Sequence, residues 1–452
     1  MSLTPAAAHN RKTVIRMGLC FLLIFGAFNA CQNLVTSLLP QGLGFISLCV
    51  LYATVCVLKP VAPLLLSKVD TRWAMAGSAL LYSTYVGSLI SVNFWAVILC
   101  AALLGAGAAV LWTANGKFLT ALSTEGERGN NVGLFWTIFS MSGVVGNLIS
   151  FVYLHWSTYD PRYLMGVFTA MGLAGALLLT TLKKPIEAGS PAPGTPTEKE
   201  SGTSGSIQQE PFLLDLAEKD SGVPRSIQQP LLLDLSLDSQ PLTGWSGLVS
   251  LLGKRQTWLL LPLNLLVGAE LSFNVGAFPT MLPDRTYIGL VMMCTGIAAT
   301  IGGYGWGKLS VKIDRRLVLA LGTFIYIVGV VSAWLFHLSV IGEFPALAPG
   351  IPYVPYGIAV FLALGDTCFN VLYISATGDA FDKRHSTMAF AFFQFFQAGG
   401  AASVFLLAHF YGVEGASGSL VVPLTVGAIA MLSLVAFMFA PLSSRANIED
   451  AR

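Results

Sequence analysis

The chain has 452 residues, of which 54% are hydrophobic and 11% are charged, and its mean hydropathy is +0.70. A soluble domain carries about 25% charged residues, so this composition excludes an ordinary soluble protein and makes the lipid bilayer the first expected partner. The formal net charge of +2 reflects how few charges there are and gives no basis for a nucleic-acid partner.

Twelve apolar stretches along the chain are long enough to cross a bilayer, which takes about 20 helical residues. The fold class predicted from them is all-α, a polytopic membrane protein with twelve transmembrane helices. The predicted spans, numbered 1 to 12 in chain order, are Met17–Leu39, Leu43–Leu66, Ala74–Ile90, Phe94–Leu119, Val132–Leu154, Tyr163–Leu182, Trp258–Leu282, Ile288–Leu309, Leu317–Leu338, Tyr353–Thr377, Met388–Tyr411 and Leu420–Pro441.

Positive charges are concentrated in alternate connections between the spans. The opposite connections carry only Arg162 and Arg285. Cytosolic connections are enriched in Lys and Arg, so both termini and the middle segment are predicted to be cytosolic. The residues on that side are Arg11, Lys12, Arg16, Lys68, Arg72, Arg128, Lys183, Lys184, Lys254, Arg255, Lys312, Arg315, Arg316, Lys383, Arg384 and Arg445.

The segment 183–256 between spans 6 and 7 differs in composition from the rest of the chain. It is rich in Ser, Pro, Gly, Glu and Gln, which predicts a disordered cytosolic linker. Inside it, Ser206–Leu216 is repeated as Ser226–Leu235. We interpret the repeat as duplicated linker. The alternatives are a short amphipathic peptide or a leucine-based sorting signal, and Glu210 stands too close to Leu213 for the usual acidic dileucine spacing.

A charged turn follows span 2 and recurs after span 8. The first is Lys68-Val69-Asp70-Thr71-Arg72 and the second is Lys312-Ile313-Asp314-Arg315-Arg316. An Asp flanked by basic residues can form charge-assisted bonds with a neighbouring helix end, so we predict two cytosolic latches. The alternative is simple positive-inside charge. The residues assigned to the latches are Lys68, Asp70, Arg72, Lys312, Asp314 and Arg316.

The repeated turn predicts two parallel six-helix repeats joined by the linker. The first bundle is expected over residues 17–182 and the second over residues 257–441. Residues 1–16 and 442–452 are expected to be cytosolic tails.

Amide and acidic side chains within the spans fall mainly on every third span. Such groups are costly in a bilayer and normally face a bundle interior or a water-filled cavity, as a repeated transporter with a central site requires. Asn147 in span 5 and Gln394 and Gln397 in span 11 depart from this pattern. The candidate substrate-binding or ion-binding residues are Gln32 and Asn33 in span 1, Asn115 in span 4, Glu270 and Asn274 in span 7, and Asp366 and Asn370 in span 10.

The two acidic candidates, Glu270 and Asp366, are the most informative of this set. Glu270 lies near the middle of span 7, where a carboxyl could bind a proton or a cation. Asp366 and Asn370 are four residues apart and share one helix face. If the two acids face a common cavity, one of them should hold a proton near neutral pH. The alternative for the acids and the amides alike is hydrogen bonding between helices.

The sequence shows no catalytic or metal-binding pattern. Its seven cysteines stand in apolar stretches without CxxC spacing, and no nucleophile–base set or cofactor motif is present. The run Gly302–Lys308 is followed by Leu309 instead of Ser or Thr, which argues against a phosphate-binding loop. We therefore expect no metal, no cofactor and no enzymatic activity.

The six-plus-six arrangement and the charged turns resemble the major facilitator superfamily, and within it the chain is similar to the Unc-93 family. Phe118 and Leu372 stand where that family usually has Tyr and Gln. The resemblance implies a multi-pass membrane protein linked to ion-channel regulation, especially of potassium, or to trafficking of membrane partners. It rests on Gln32-Asn33-Leu34, Ser37-Leu38, Gly42-Leu43-Gly44, Leu51-Tyr52, Gly105–Trp112, Gly116, Leu119, Thr120, Gly133, Phe135, Ile138, Ser142-Gly143-Val144, Gly146-Asn147-Leu148, Gly365-Asp366 and Asn370.

Two functions are open at this point. The first is a secondary transporter that moves a small molecule or an ion by alternating access, with Glu270 and Asp366 carrying a proton or cation. The second is a regulatory or chaperone subunit that binds a channel or receptor and transports nothing. The acids within the membrane favour the first function, and the family resemblance favours the second.

Overall fold

The computed structural model describes residues 5–123, 128–157, 160–186, 244–343, 353–381, 383–411 and 416–440, and every regular element in these ranges is helical. A π-helical segment, Phe273–Ala277, joins α9 to α10, and short 3-10 turns lie at Pro40–Gly42 and Arg285–Tyr287. The helices are α1 Pro5–Leu38, α2 Leu43–Leu58, α3 Ala62–Leu66, α4 Thr71–Ser88, α5 Phe94–Ala121, α6 Arg128–Trp156, α7 Arg162–Thr180, α8 Gly244–Leu252, α9 Arg255–Ser272, α10 Phe278–Thr280, α11 Ile288–Lys312, α12 Arg315–Val340, α13 Val354–Ala380, α14 Lys383–Tyr411 and α15 Ala416–Met438.

Eleven helical stretches in the described part of the chain are long and apolar enough to cross a membrane. The remaining predicted span, span 3, forms α4, which has 18 residues. The predicted class, an all-α polytopic membrane protein, is therefore confirmed.

Two helices differ in extent from the predicted spans. α1 begins at Pro5 instead of Met17, because hydropathy detects only the apolar part of a helix that continues through Arg11 and Lys12. Span 2 is broken between α2 and α3, where Pro60 follows Lys59. Proline has no backbone N–H and its ring clashes with the preceding turn, so the helix stops there and restarts at Ala62.

The prediction of disorder over 183–256 needs correction at both ends of the segment. At its start, the Asn10 side chain donates to the Ile186 carbonyl (3.0 Å) and accepts from the Ile186 N–H (3.1 Å). At its end, α8 packs on α14, and α9 begins at Arg255. Composition missed these parts because their order comes from contacts with other helices. The tandem repeat lies outside the described residues.

The molecule has two helical halves, α1–α7 and α9–α15, with similar internal packing. In the first half, α1 packs on α6 and α7, and α4 packs on α5 and α7. In the second half, α9 packs on α14 and α15, and α12 packs on α13 and α15. The halves meet where α2 contacts α14 and where α6 contacts α11. These are equivalent pairs, second with fifth helix of each half, as expected for related repeats.

We call the side with the start of α1 and with α8 the linker face, and the side with the turns Pro40–Gly42 and Arg285–Tyr287 the loop face. The halves bond to each other near the loop face. Thr36 Oγ1 donates to the Gly276 carbonyl (3.0 Å), and His409 Nδ1 lies 3.2 Å from the Gly42 carbonyl oxygen.

Towards the linker face, α6 and α11 separate. Gly143 and Gly296 face each other, since a Cβ built on Gly143 would lie 4.0 Å from the Gly296 Cα. Gly303 and Gly307 continue the same face of α11, and a Cβ on either would have no described atom within 4 Å. On α6, Trp136 continues the face of Gly143 and is 45% exposed. The halves are therefore in contact at the loop face, around a cavity of about 530 Å³ lined by residues of both halves such as Thr36, Phe45 and His409, and the glycine face of α11 is uncovered towards the linker face.

Candidate functional site

The centre of the second half contains two carboxyl groups side by side. Glu270 on α9 is 1% exposed, and Asp366 on α13 is half-buried. Their side chains lie within hydrogen-bonding reach of each other. The two acids, which are 96 positions apart in the chain, are thus brought together by the packing of α9 against α13.

Two amides and one phenol complete this group. Asn274 Nδ2 donates to Glu270 Oε2, and the Tyr326 hydroxyl on α12 donates to Asn274 Oδ1 (3.4 Å). Asn370 Nδ2 donates to Asp366 Oδ1 (2.6 Å). We call Glu270, Asn274, Tyr326, Asp366 and Asn370 the acidic cluster.

The backbone around Glu270 departs from regular α-helix. The π segment begins three residues after Glu270 and contains Asn274, and the Phe278 N–H bonds to the Phe273 carbonyl. Single π turns inside α-helices occur often at functional sites, because the extra residue leaves backbone groups less completely paired. Here the turn is located at the depth of the carboxyl pair.

The acidic cluster can hold a proton or a small cation. Among the described residues, the hydrogen-bond partners of the two carboxyls are amides and the other carboxyl. Two carboxylates in contact and away from water repel each other strongly, so they are stable with a shared proton or with a bound cation between them. The described residues contain no group of three or more His, Cys, Asp or Glu side chains suited to a metal ion.

The candidates from the first half lie elsewhere. Gln32 Nε2 donates to the Tyr52 hydroxyl (2.9 Å), and Asn33 Nδ2 donates to Asn147 Oδ1 (3.0 Å). These bonds join α1 to α2 and to α6. Asn115 is 5% exposed, and its Oδ1 has no hydrogen-bond partner among the described residues. None of the three amides is hydrogen-bonded to the acidic cluster, so the seven predicted residues do not form one hydrogen-bonded group.

Aromatic side chains fill the corresponding interior of the first half. The Phe25 ring lies 5.1 Å from Tyr82 and 5.1 Å from Trp112, measured between centroids. Trp112 stacks on Trp136 with centroids 6.0 Å apart and planes 14° apart. Trp112 therefore packs among neighbouring rings, while Trp136 carries the aromatic surface to the opening between α6 and α11.

Tyr326 is the member of the acidic cluster that the sequence did not indicate. It is fully buried in span 9, which has no Asn, Gln or charge in its central part. A tyrosine in an apolar helix is common, so composition gives no signal for it. Its role follows only from the packing of α12 against α13 and the reach of its hydroxyl to Asn274.

The two charged turns have matching geometry. Asp70 caps α4 and binds Arg72, whose Nη1 donates to the Leu182 carbonyl after α7 (3.0 Å). Asp314 caps α12 and accepts from the Arg316 backbone N–H (2.8 Å). Arg316 Nη2 in turn donates to the Ala440 carbonyl after α15 (3.1 Å). Each arginine therefore binds the carbonyl end of the sixth helix of its own half, where the helix dipole favours a cation.

The lysines of the turns do not share this role, and the second turn has an additional ion pair. Lys68 and Lys312 are exposed. Arg315 Nη1 lies 2.5 Å from Asp379 Oδ2 at the end of α13. Hydrogen bonds from Arg72 hold the pKa of Asp70 below its usual value.

A family model described as ion channel regulatory protein UNC-93 matches residues 39–438. UNC93-like protein MFSD11 of Xenopus tropicalis is 26% identical over 430 residues, which cover 88% of this chain and 89% of that protein. Protein unc-93 homolog A of Mus musculus is 27% identical over 378 residues, which cover 72% of this chain and 74% of that protein.

Solved transporter structures share the fold. A peptide transporter in complex with sulfate superposes with a TM-score of 0.64 at 14% identity, covering 95% of this chain and 94% of that one. The nucleoside transporter NupG superposes with a TM-score of 0.61 at 13% identity, covering 94% and 98%. At such identities the likeness establishes the architecture alone. Because the family model covers most of the chain, this protein is a member of the UNC-93 family, built on the major facilitator fold.

Proposed function

We propose that this chain is a secondary transporter in which the acidic cluster binds the coupling proton. The observation that carries the proposal is the contact between Glu270 and Asp366 at the centre of the second half. A charged group within a membrane protein is costly and is rarely present without a use. A carboxyl pair that shares one proton can gain or lose it when the cavity changes the side from which it is reached.

The arrangement of the halves supports this proposal. They are bonded near the loop face through Thr36 and His409 and separate towards the linker face between α6 and α11. A site reached from one side is one of the two states that alternating access requires. With the termini and the linker in the cytosol, as the positive charges predict, this state faces the cytosol. The proposal includes no catalytic step.

The second candidate is regulation of a channel, with potassium channels first, or escort of a membrane partner. The description of the matching family favours it. In that case the acidic cluster stabilises the fold, and the partner binds a surface of the helices. The two functions predict different results for Glu270→Gln and Asp366→Asn. These variants should abolish transport, but they should leave the regulation of a partner intact.

The test uses purified protein in proteoliposomes loaded with a pH-sensitive dye, with and without a pH gradient. A panel of small cations, anions and zwitterions is supplied outside, and proton movement is recorded. We expect proton-coupled flux with the native chain and none with Glu270→Gln or Asp366→Asn. The matched control is Asp379→Asn, which removes a carboxylate from the surface ion pair with Arg315 and should leave the flux unchanged.

Native coupled flux that persists in both folded cluster variants would overturn the assignment. The regulatory candidate is tested by recording the current of a co-expressed potassium channel. A change in that current that Glu270→Gln and Asp366→Asn leave intact, together with no flux in the liposomes, would favour regulation over transport.

A further inference from the structure

A stripe of polar side chains runs along one face of α13 from the carboxyl pair to the linker face. Its members are Asp366, Asn370, Tyr373 and Thr377, at spacings of four, three and four residues. Residues three and four apart are neighbours on a helix surface, so the four side chains form one row. We call this row the α13 stripe. The row covers about 16 Å along the helix at ~1.5 Å per residue.

Packing alone does not explain the threonine at the end of the stripe nearest the linker face. Thr377 is 1% exposed, and its hydroxyl has no hydrogen-bond partner among the described residues. A buried hydroxyl without a partner destabilises the fold, and ordered water normally satisfies such a group. The other two hydroxyl side chains of α13 that are threonine or serine donate to carbonyls of their own helix, Thr367 to Ala363 (2.9 Å) and Ser375 to Leu372 (3.3 Å).

Tyr373 occupies the middle of the row between Asn370 and Thr377. It is 8% exposed, its ring packs against Phe390 of α14 (centroids 6.4 Å apart), and its hydroxyl faces the Gln394 side chain. Gln394 is one of the residues of span 11 that departed from the pattern of polar spans. At the linker-face end, Gln256 of α9 donates to the Ala380 carbonyl, the last residue of α13 (2.8 Å).

We propose that Tyr373, Thr377 and Gln394 form the path by which a proton passes between the linker face and the Glu270–Asp366 pair. This inference rests on the proposed function and specifies its proton route. The Cβ atoms of neighbours on a helix face are ~5–6 Å apart. The Thr377 hydroxyl makes no direct hydrogen bond in the described part of the chain, so water bridges the step from Thr377 to Tyr373.

The proton balance of the path is simple. A hydronium ion at the linker face gives its proton to the water at Thr377. Each hydroxyl then accepts one proton and donates its own to the next water. The last transfer protonates a carboxylate oxygen of the pair, and all intermediate groups end as they began. Tyr373 and Thr377 therefore relay the proton together with the water and are regenerated, and Gln394 orients the Tyr373 hydroxyl.

The test follows proton exchange at the carboxyl pair by infrared spectroscopy on full-length protein in nanodiscs. The carbonyl stretch of a protonated carboxyl shifts when H₂O is replaced by D₂O, and the rate of that shift is the rate of exchange. Loss of the band in Glu270→Gln or Asp366→Asn assigns it to the pair. We expect Tyr373→Phe and Thr377→Val each to slow the exchange, and the double variant to slow it by about tenfold or more, which corresponds to ~1.4 kcal/mol in the barrier.

The matched controls are the same two substitutions made at positions of α13 outside the stripe. Tyr356 lies between the loop face and Asp366, and Thr367 lies off the stripe. The carboxyl pair of Tyr356→Phe and of Thr367→Val should therefore exchange its proton at the native rate. Thermal unfolding confirms which variants are folded, and a single variant replaces the double if the latter is not. A native band with unchanged exchange in folded stripe variants would refute the path and leave the proposed function intact. No protonated carboxyl band in the native protein would refute the proposed function itself.

Discussion

The two halves of this protein use the same helix arrangement with different chemistry at their centres. In the first half, α1 is tied to its neighbours by neutral pairs, Gln32 with Tyr52 and Asn33 with Asn147. In the second half, the equivalent helix α9 contributes Glu270, which meets Asp366. The same scaffold therefore has a neutral, aromatic-rich centre in the first half and a pair of carboxyl groups at the centre of the second half. Under the proposed function, the groups that bind the proton lie in the second half.

An exchange of residues between the halves tests this difference most severely. Asn33→Asp places a carboxylate against Asn147, where no second acid can share its proton. We expect a loss of about 2.5–3.5 kcal/mol, the cost of an acidic side chain within a membrane helix. The reverse change, Asp366→Asn, should leave stability unchanged or raise it. Thermal unfolding in detergent measures both, and equal losses would show that the two sites do not differ.

Close contacts between helices should be equally sensitive to added side-chain volume in both halves. A Cβ at Gly146 on α6 would lie 1.9 Å from the Gly26 carbonyl oxygen, and a Cβ at Gly268 on α9 would lie 1.8 Å from the Gln397 carbonyl oxygen. We expect Gly146→Ala and Gly268→Ala each to cost roughly 1–3 kcal/mol, since the helices must move apart. The control is Gly77→Ala on α4, where a Cβ has no described atom within 4 Å. Melting temperatures that fall in only one half would break the comparison.

The loss of its latch arginine should destabilise the first half more than the second, which has an additional ion pair. Arg72→Ala removes the bond to Leu182, and we expect a cost of about 0.3–1 kcal/mol, as for a cation lost from a helix end. Arg316→Ala should cost less, because Arg315 still pairs with Asp379 in that half. The double variant Arg315→Ala with Arg316→Ala should lose as much stability as Arg72→Ala does. A larger loss from Arg316→Ala alone than from Arg72→Ala contradicts this ranking.

Acid should weaken the first latch. The folded-state pKa of Asp70 is lowered by its bonds to Arg72, so its contribution is fully present above the unfolded-state value of about 3.9. The contribution is lost as the pH falls through the lower folded-state pKa. Unfolding curves of the native chain and of Asp70→Asn, recorded between neutral and acidic pH, should therefore converge in acid. Curves that remain parallel would show that Asp70 is not paired in the native protein.

The neutral pairs of the first half should have only a small effect on stability and none on proton coupling. Tyr52→Phe removes the hydroxyl bonded to Gln32, and such contacts between membrane helices contribute ~0.6 kcal/mol. The stacked contact of this ring with Phe405, with centroids 5.6 Å apart, should be preserved. Unfolding midpoints and proton-coupled flux together provide the measurement. A loss of coupling in Tyr52→Phe would place the first half in the proton chemistry after all.

Much of the site was accessible from the sequence because burying polar groups in a membrane is so costly. Glu270, Asn274, Asp366 and Asn370 were identified since each interrupts an apolar span. The same criterion also selected Gln32, Asn33 and Asn115, which do not bond to the acidic cluster. An amide that joins two helices and an amide that binds a ligand have the same sequence signature, so hydropathy cannot separate them.

The sequence by itself determined the class of the protein, because about 20 apolar residues per helix and charge confined to the connections admit few other folds. It also located the repeated charged turns and the two buried acids. The tertiary structure decided which groups meet: the contact between Glu270 and Asp366, the inclusion of Tyr326, and the separation of α6 from α11. Those depend on how helices distant in the chain pack side by side, and packing is set by the shapes of all the contacting side chains together, which no single span records.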